Sequence, residues 1–502
     1  MSTDKSVFNQ PQAATVTGDT APSGIEQWTS DRGFFGHPRG LSTLFFTEMW
    51  ERFSYYGMRG LLKLYMVNYL FVVSRQVVQG GEATAAGDPN AVIGWNFIRN
   101  LIDSDPTTPV GAYASVLYGW YTGLVYATPI LGGYLADRYW GQRKTVILGG
   151  ALMALGHFAM AYENWFFIAL LLLIIGNGAF KPNISTQVGN LYRPGDPRRD
   201  GAFTIFYMGI NLGAFICNLI CGTLAATKGW HWGFGAAGIG MLLGLIIYIF
   251  GQSSLAPDSL TVAREKATDD VPATRAPLNA AEWQSVKALI LLCVLNIVFW
   301  AVYEQQGNTM QTWADEKTVW PLIGSFQVPA TWFQSINPFF IFALAPLFDM
   351  LWRWQASRNQ EPTSVQKMSI GAGLLGLSFI IMVFGARAIG DGAGSWFWPV
   401  SCTILLTIGE LYLSPIGLSL VTKVSPARIV SVMMGVWMAS SFFGNIVSGY
   451  IGLLYEKEIV SNENFFWILT GLGLATGAIM WAFSKPLDKI IARSQGDAVA
   501  AK

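Results

Sequence analysis

Residues 41–70, LSTLFFTEMWERFSYYGMRGLLKLYMVNYL, form a long apolar stretch interrupted by Glu48, Glu51, Arg52, Arg59 and Lys63. At about 100° per residue, Glu48, Glu51, Arg52, Tyr55, Tyr56 and Arg59 fall within roughly 140° of one helix face. Two carboxylates flanking one guanidinium away from water cannot share it equally, and the less favoured one gains proton affinity. That is chemistry for taking up and releasing a proton, with either Glu48 or Glu51 as the acceptor. The plainer alternative is a pair of carboxylates that only satisfies Arg52.

Three more charges stand inside apolar runs: Lys181 in Phe180-Lys181-Pro182-Asn183, Glu304, and Glu410 in Gly409-Glu410-Leu-Tyr-Leu-Ser414-Pro415. Charges at membrane depth are costly unless they pair or line a wet cavity, so each is a functional candidate. Four cations (Arg52, Arg59, Lys63, Lys181) and four carboxylates (Glu48, Glu51, Glu304, Glu410) balance, yet every cation lies in the first half of the chain. A cavity between the halves would have a positive wall with Arg59 and Lys181 and a negative wall with Glu410. Its natural ligand is a small zwitterion; the alternative is that these charges only pair across the halves. Lys63, nearer the outer interface, is expected to snorkel. Proline beside Lys181 and near Glu410, in corresponding fourth spans, predicts broken helices of the kind found at transport sites.

The elements that must position these residues are set by hydropathy. The chain has 502 residues, 52% hydrophobic and 13% charged, about half the charge of an ordinary soluble domain. Twelve spans are expected, near 41–70, 110–136, 144–162, 164–187, 201–225, 232–252, 284–307, 331–350, 368–388, 396–422, 429–453 and 464–484. The organisation follows: a tail over 1–40, six helices over 41–252, a linker over 253–283, six helices over 284–485 and a tail over 486–502. With both termini in the cytoplasm, cytoplasmic segments carry 22 Lys and Arg and external loops six, the expected positive-inside bias. Gly119/Gly123 and Gly209/Gly213 have the spacing of close helix contacts.

Several classes are excluded. Net charge is +1 and no basic tract is dense, so no nucleic-acid partner is indicated. Residues 1–36 lack an apolar run, so no cleavable signal is expected. The four cysteines lie in apolar segments and read as packing residues. No pair of the three histidines has metal-ligand spacing, so no metal site is expected. Neither a phosphate-binding G-x-x-x-x-G-K-[ST] loop nor a G-x-S-x-G elbow is present. The absence of a nucleophile–base set or a filter-like repeat argues against an enzyme and against a channel.

The motifs resemble a known family. Gly133-Tyr-Leu-Ala-Asp137-Arg138-Tyr-Trp-Gly141-Gln-Arg143-Lys144 is similar to the loop between spans two and three of the major facilitator superfamily, whose Asp and Arg latch helix ends. Glu48-Met-Trp-Glu51-Arg52-Phe53-Ser-Tyr55-Tyr56-Gly57 resembles the E-x-x-E-R-F-x-Y-Y-G signature of proton-coupled oligopeptide transporters. Phe203 to Phe215, with Tyr207, Asn211 and Gly213, resembles that family's second signature. The Lys181 and Glu410 motifs match as well, so the resemblance runs from about residue 37 to 455.

It implies an all-α membrane protein with the major facilitator fold, twelve transmembrane helices in two six-helix bundles. It also implies a proton-coupled symporter of di- and tripeptides in the plasma (bacterial inner) membrane, working by alternating access. No cofactor is implied; the proton gradient supplies the energy and the protein is expected to act as a monomer. Carried over by residue, Arg59, Tyr55, Tyr56, Tyr126, Lys181 and Asn211 would line one wall, and Trp300, Asn337, Glu410, Trp437 and Ser441 the other. Glu48, Glu51, Arg52 and Glu304 would couple the proton, an Arg59–Glu304 bridge would close the outer side, and Asp137 and Arg138 would form the latch. Two features depart from parts of the family. The linker has no room for the two extra helices of many bacterial members, and the second span lacks the histidine of animal members, which leaves carboxylates to take the proton. Relatives that carry nitrate or other anions supply the competing reading, although a free anion has no use for Glu410.

Overall fold

The computed structural model describes residues 31–71, 89–105, 107–193, 196, 198–258, 278–426 and 429–500. Twelve long helices dominate: α1 Arg39–Tyr65, α2 Val110–Leu135, α3 Gln142–Ala159, α4 Phe166–Asn190, α5 Arg198–Cys217, α6 Trp230–Gly251, α7 Ala280–Tyr303, α8 Ile336–Ser357, α9 Ser364–Ile389, α10 Phe397–Val424, α11 Val430–Glu456 and α12 Asn462–Ala500. Nine of these helical segments are, among the described residues, long and apolar enough to cross a membrane. The other three, α1 to α3, complete the first half; α1 falls short because its charges lower its hydropathy.

Each half has its own apolar core. Residues from Leu41 to Leu255 form one and residues from Val286 to Leu487 the other. Local sequence starts many of the helices. Pro38 and Pro109 precede α1 and α2, where a missing N–H costs nothing. Asn279 with Glu282 and Thr363 with Gln366 form reciprocal caps on α7 and α9, each satisfying two otherwise orphaned donors. Between α2 and α3 the chain turns at Gly141, whose φ is +79°. A Cβ there would also lie 2.4 Å from the Asp258 carboxylate, so only glycine fits on both counts.

Small residues bring helices together as their spacing predicts. A Cβ at Gly213 would meet the Met49 carbonyl oxygen at 2.2 Å, seating α5 on α1. A Cβ at Gly119 would meet the Asn445 carbonyl oxygen at 2.7 Å and Gly449 Cα at 2.8 Å, seating α2 on α11 across the two halves.

The structure corrects one expectation and adds detail to two segments. Pro182 and Pro415 lie inside continuous helices, α4 and α10. Next to Pro182, Asn183 donates through Nδ2 to the Ala179 carbonyl at 2.7 Å and the Gly132 carbonyl at 3.4 Å, tying this turn of α4 to itself and to α2. The real interruption follows α7, where a tight turn Glu304–Gln306 leads through Asn308 into a short buried helix, Thr309–Glu316. The stretch 308–330, between the expected seventh and eighth spans, therefore begins as helix. It continues as short strands: Thr318–Val319 pairs in parallel with Gly394–Ser395, and Leu322–Ile323 pairs antiparallel with Phe326–Gln327. Past the last expected span, α12 continues as helix to Ala500, through most of the expected C-terminal tail. Residues 1–30 and 259–277, most of the expected N-terminal tail and linker, lie outside the described residues.

Candidate substrate cavity and coupling cluster

A cavity of about 320 Å³ lies between the halves, within the range of small-molecule sites, roughly 300–1,000 Å³. Its first wall carries Tyr56 and Arg59 of α1, Tyr126 of α2, Lys181 of α4 and Tyr207 and Asn211 of α5. The second carries Trp300 and Tyr303 of α7, Asn337 of α8, Glu410 of α10 and Trp437 and Ser441 of α11. Every expected wall residue except Tyr55 is thus brought to one space. Tyr55 is buried beside Tyr56, ring centroids 5.1 Å apart, and does not line the cavity.

The two charged walls do not neutralise each other. The Lys181 ammonium sits over the Tyr126 ring, 4.8 Å from its centroid. Glu410 Oε2 accepts from the Tyr303 hydroxyl at 2.7 Å and from Asn337 Nδ2 at 2.9 Å. Asn337 also donates to Thr407 at 3.0 Å, which fixes its amide. The Glu410 carboxyl is therefore held by neutral donors, and no ion pair to it is seen among the described residues. The reading in which Lys181 and Glu410 only pair with each other does not describe this arrangement.

Arg59 is occupied. Its Nε donates to the Tyr118 hydroxyl at 2.7 Å and its Nη2 bridges to Glu304 across the halves. One turn further along α1, Lys63 is 0% exposed. It does not snorkel, because Glu456 Oε1 at 2.8 Å, Ser115 Oγ at 2.7 Å and the Gly111 carbonyl at 3.1 Å surround its ammonium. Sequence reasoning ended span eleven at residue 453 and so missed Glu456, the partner that makes this burial possible. Asn68–Asp315 at 2.7 Å and Lys457–Asp103 add to the same side.

These bridges all lie toward the end opposite the chain termini. Toward the termini the cavity wall becomes open: Tyr207 is 46% and Leu418 37% exposed. The cavity is closed at one end and open at the other.

Glu48, Glu51 and Arg52 are buried within the first half. Arg52 Nε lies 3.1 Å from Glu48 Oε1 and also bridges to Glu51 Oε2. Asn177 of α4 donates through Nδ2 to Glu51 Oε1 at 3.0 Å. Both oxygens of Glu51 are therefore engaged, whereas Glu48 Oε2 has no partner among the described residues. Asn177 was not singled out from the sequence, although an asparagine one turn before Lys181 in an apolar helix was a readable signal.

Asp137 and Arg138 are exposed at the turn Ala136–Trp140, with Arg138 over the Tyr139 ring. The start of α3 is held instead by Asp258, which accepts from the backbone N–H groups of Gln142 and Arg143, both at 3.1 Å. A carboxylate at a helix N-terminus is favoured by the orphan donors and the helix dipole. Arg143 Nη2 in turn donates to the Leu255 and Ala256 carbonyls, both at 2.8 Å.

Comparison with known proteins places this architecture. The model of the POT family matches residues 143–259 and 259–468. The peptide transporter YePEPT of Yersinia enterocolitica is 36% identical over 534 residues, covering 93% of this chain and 98% of its own. A di-/tripeptide transporter of Lactococcus lactis subsp. cremoris is 32% identical over 527 residues, covering 92% and 98%. Among solved structures, a mutant peptide transporter POT in complex with alafosfalin aligns with a TM-score of 0.75 at 33% identity, over 93% of this chain and 98% of that one. Matched along nearly its whole length in sequence and in helix arrangement, the chain belongs to the POT family and has the major facilitator fold.

Proposed function

We propose that the protein is a multi-pass plasma-membrane symporter that moves di- and tripeptides together with protons. The observation that carries this reading is the cavity's uncompensated polarity: Lys181 on one wall and Glu410 on the other, not paired with each other. A peptide carboxylate fits the Lys181 side and its ammonium fits Glu410, while Trp300 and Trp437 offer apolar surface for side chains. That the relatives above are named as peptide transporters supports the same substrate class.

With the termini cytoplasmic, as the Lys and Arg bias supports, the closed end is external and the open end internal. The conformation is then the one that releases substrate inside. Glu304 and Arg59 form a bridge across the closed end; protonating Glu304 removes its charge and frees Arg59, which lets the halves part there.

The hydrogen bonds favour Glu48 over Glu51 as the acceptor inside the first half. A proton on Glu51 must displace a donor, Arg52 or Asn177, whereas Glu48 Oε2 can take one without displacing any. A neutral Glu48 leaves Arg52 to Glu51 alone and weakens the negative field facing Lys181.

Proteoliposomes with an inward proton gradient test the proposal. Labelled dialanine should accumulate, and a protonophore should abolish the accumulation. Uptake no better than in empty liposomes, or uptake indifferent to the protonophore, rejects symport; competition by nitrate but not by peptides would favour an anion carrier.

A further inference from the structure

The short helix Trp95–Ile102 between α1 and α2 lies outside the spans, and its apolar side is wider than the protein covers. Trp95, Ile98 and Ile102 face the first half's core. Phe97 and Leu101, one turn apart, are 71% and 72% exposed, and Ile93 just before the helix is exposed as well. On a helical wheel these five helix residues span about 160°, with Asn96, Arg99 and Asn100 opposite. A helix with one flank on protein, one flank bare and apolar, and a polar back suits the corner between protein, lipid and water.

The neighbouring surface indicates which medium meets the bare flank. The Ile93 N–H donates to the Asn164 carbonyl at 3.0 Å, which sets the helix level with the turn between α3 and α4. Tyr162 and Trp165 are exposed at that turn, where aromatic rings mark a membrane–water boundary. Below them Leu155 and Phe158 of α3 and Ile168 and Leu171 of α4 continue the exposed apolar surface down the spans. Phe97 and Leu101 thus add to the exposed apolar surface on the same side of the first half.

The geometry points to Trp95–Ile102 as an interfacial anchor, lying in the headgroup region with Phe97 and Leu101 in the acyl boundary. The anchor is tied to moving parts. Trp95 packs on Phe71 just past α1, ring centroids 4.3 Å apart. The Tyr113 hydroxyl of α2 donates to the Asp103 carbonyl at 2.9 Å, and the Asp103 carboxylate pairs with Lys457 of the other half. It therefore seats the ends of α1 and α2 against lipid beside a contact between the halves.

Single-cysteine labelling tests the assignment in the full-length protein, whose own four cysteines are buried. Asn96→Cys, Phe97→Cys, Asn100→Cys and Leu101→Cys would each carry a bimane fluorophore in phosphatidylcholine–phosphatidylglycerol liposomes. Doxyl lipid labelled near the headgroup should quench positions 97 and 101 at least threefold more strongly than positions 96 and 100. Aqueous iodide should give the reverse order. Equal iodide quenching at all four positions would place the flank in water and overturn the anchor. Quenching of 97 and 101 by neither reagent would mean that protein covers them, which overturns it too.

Discussion

The charges of α1 divide into two groups according to which half of the molecule satisfies them. Glu48, Glu51 and Arg52 bind one another and Asn177, all within the first half. Arg59 and Lys63 reach across to Glu304 and Glu456 of the second. Seven residues, about 10 Å of helix, separate Arg52 from Arg59. A network closed within one half survives any rigid movement of that half, so it can respond only to a change in its own charge. A bridge between halves must break whenever they separate. In the proposed mechanism one helix carries a protonation switch at its middle and a latch toward its end, and the rise of the helix fixes their spacing.

The largest effect should come from leaving the internal network without its cation. Arg52→Leu buries two carboxylates beside Asn177 with no guanidinium. Breaking a buried ion pair costs about 3–5 kcal/mol, so folded yield and thermal stability in detergent should collapse. A variant as stable as the wild type would mean that the cluster is not closed within one half.

Glu48→Gln should be milder for folding and severe for coupling. Gradient-driven dipeptide uptake is expected to fall about 100-fold, the order of a lost charged interaction of roughly 3 kcal/mol, while counterflow exchange persists. Uphill transport that survived in Glu48→Gln but failed in Glu51→Gln would reverse the assignment between the two carboxylates.

Glu456→Gln weakens the latch without touching the switch. The Lys63 ammonium loses its counter-charge, so the closed end should open more often. Spin labels at positions 68 and 315, whose native side chains are hydrogen-bonded at 2.7 Å, should report a new population at longer distance. Uptake should fall about tenfold, in line with a coupling of ~1.4 kcal/mol. An unchanged distance distribution would remove Lys63–Glu456 from the latch.

Asp103→Asn should matter least, because Asp103 and Lys457 are partly exposed and salt screens such pairs. The Lys457 ammonium, with the Asp105 N–H, holds the Asp103 carboxyl well below the usual carboxylate range. Its stabilising contribution is therefore complete above the ordinary aspartate pKa of about 4 and is lost as pH falls through the lowered value. Between pH 5 and 8 the wild type should show no titration from Asp103, and any stability gap to Asp103→Asn should close in high salt. A gap that persisted there would show the pair to be more shielded than its exposure suggests.

Legibility in the sequence followed the range of the interaction. Spans, the lopsided placement of cations and the shared helix face of Glu48, Glu51 and Arg52 were readable because hydropathy and helical periodicity act within a few residues. The sequence places the helix breaks at proline, yet α4 and α10 run on through Pro182 and Pro415, and the break at Glu304–Asn308 contains no proline. Lys63 looked free to reach solvent because its partner lies 393 residues away. Tyr303 was missed beside Glu304 for the same reason, since only the approach of α7 to α10 makes it a donor to Glu410.

By itself the sequence determined that this chain crosses a membrane many times, that it carries balanced charges at depth, and that its motifs resemble those of proton-coupled peptide carriers. Tertiary structure alone decided which charges meet. It paired Arg59 with Glu304 and Lys63 with Glu456, gave Glu51 two donors and Glu48 one, and left Lys181 and Glu410 facing a cavity. The physical reason is that burying a charge depends on an exact partner at about 3 Å, and in a twelve-helix bundle that partner comes from packing between distant helices, which no local pattern encodes.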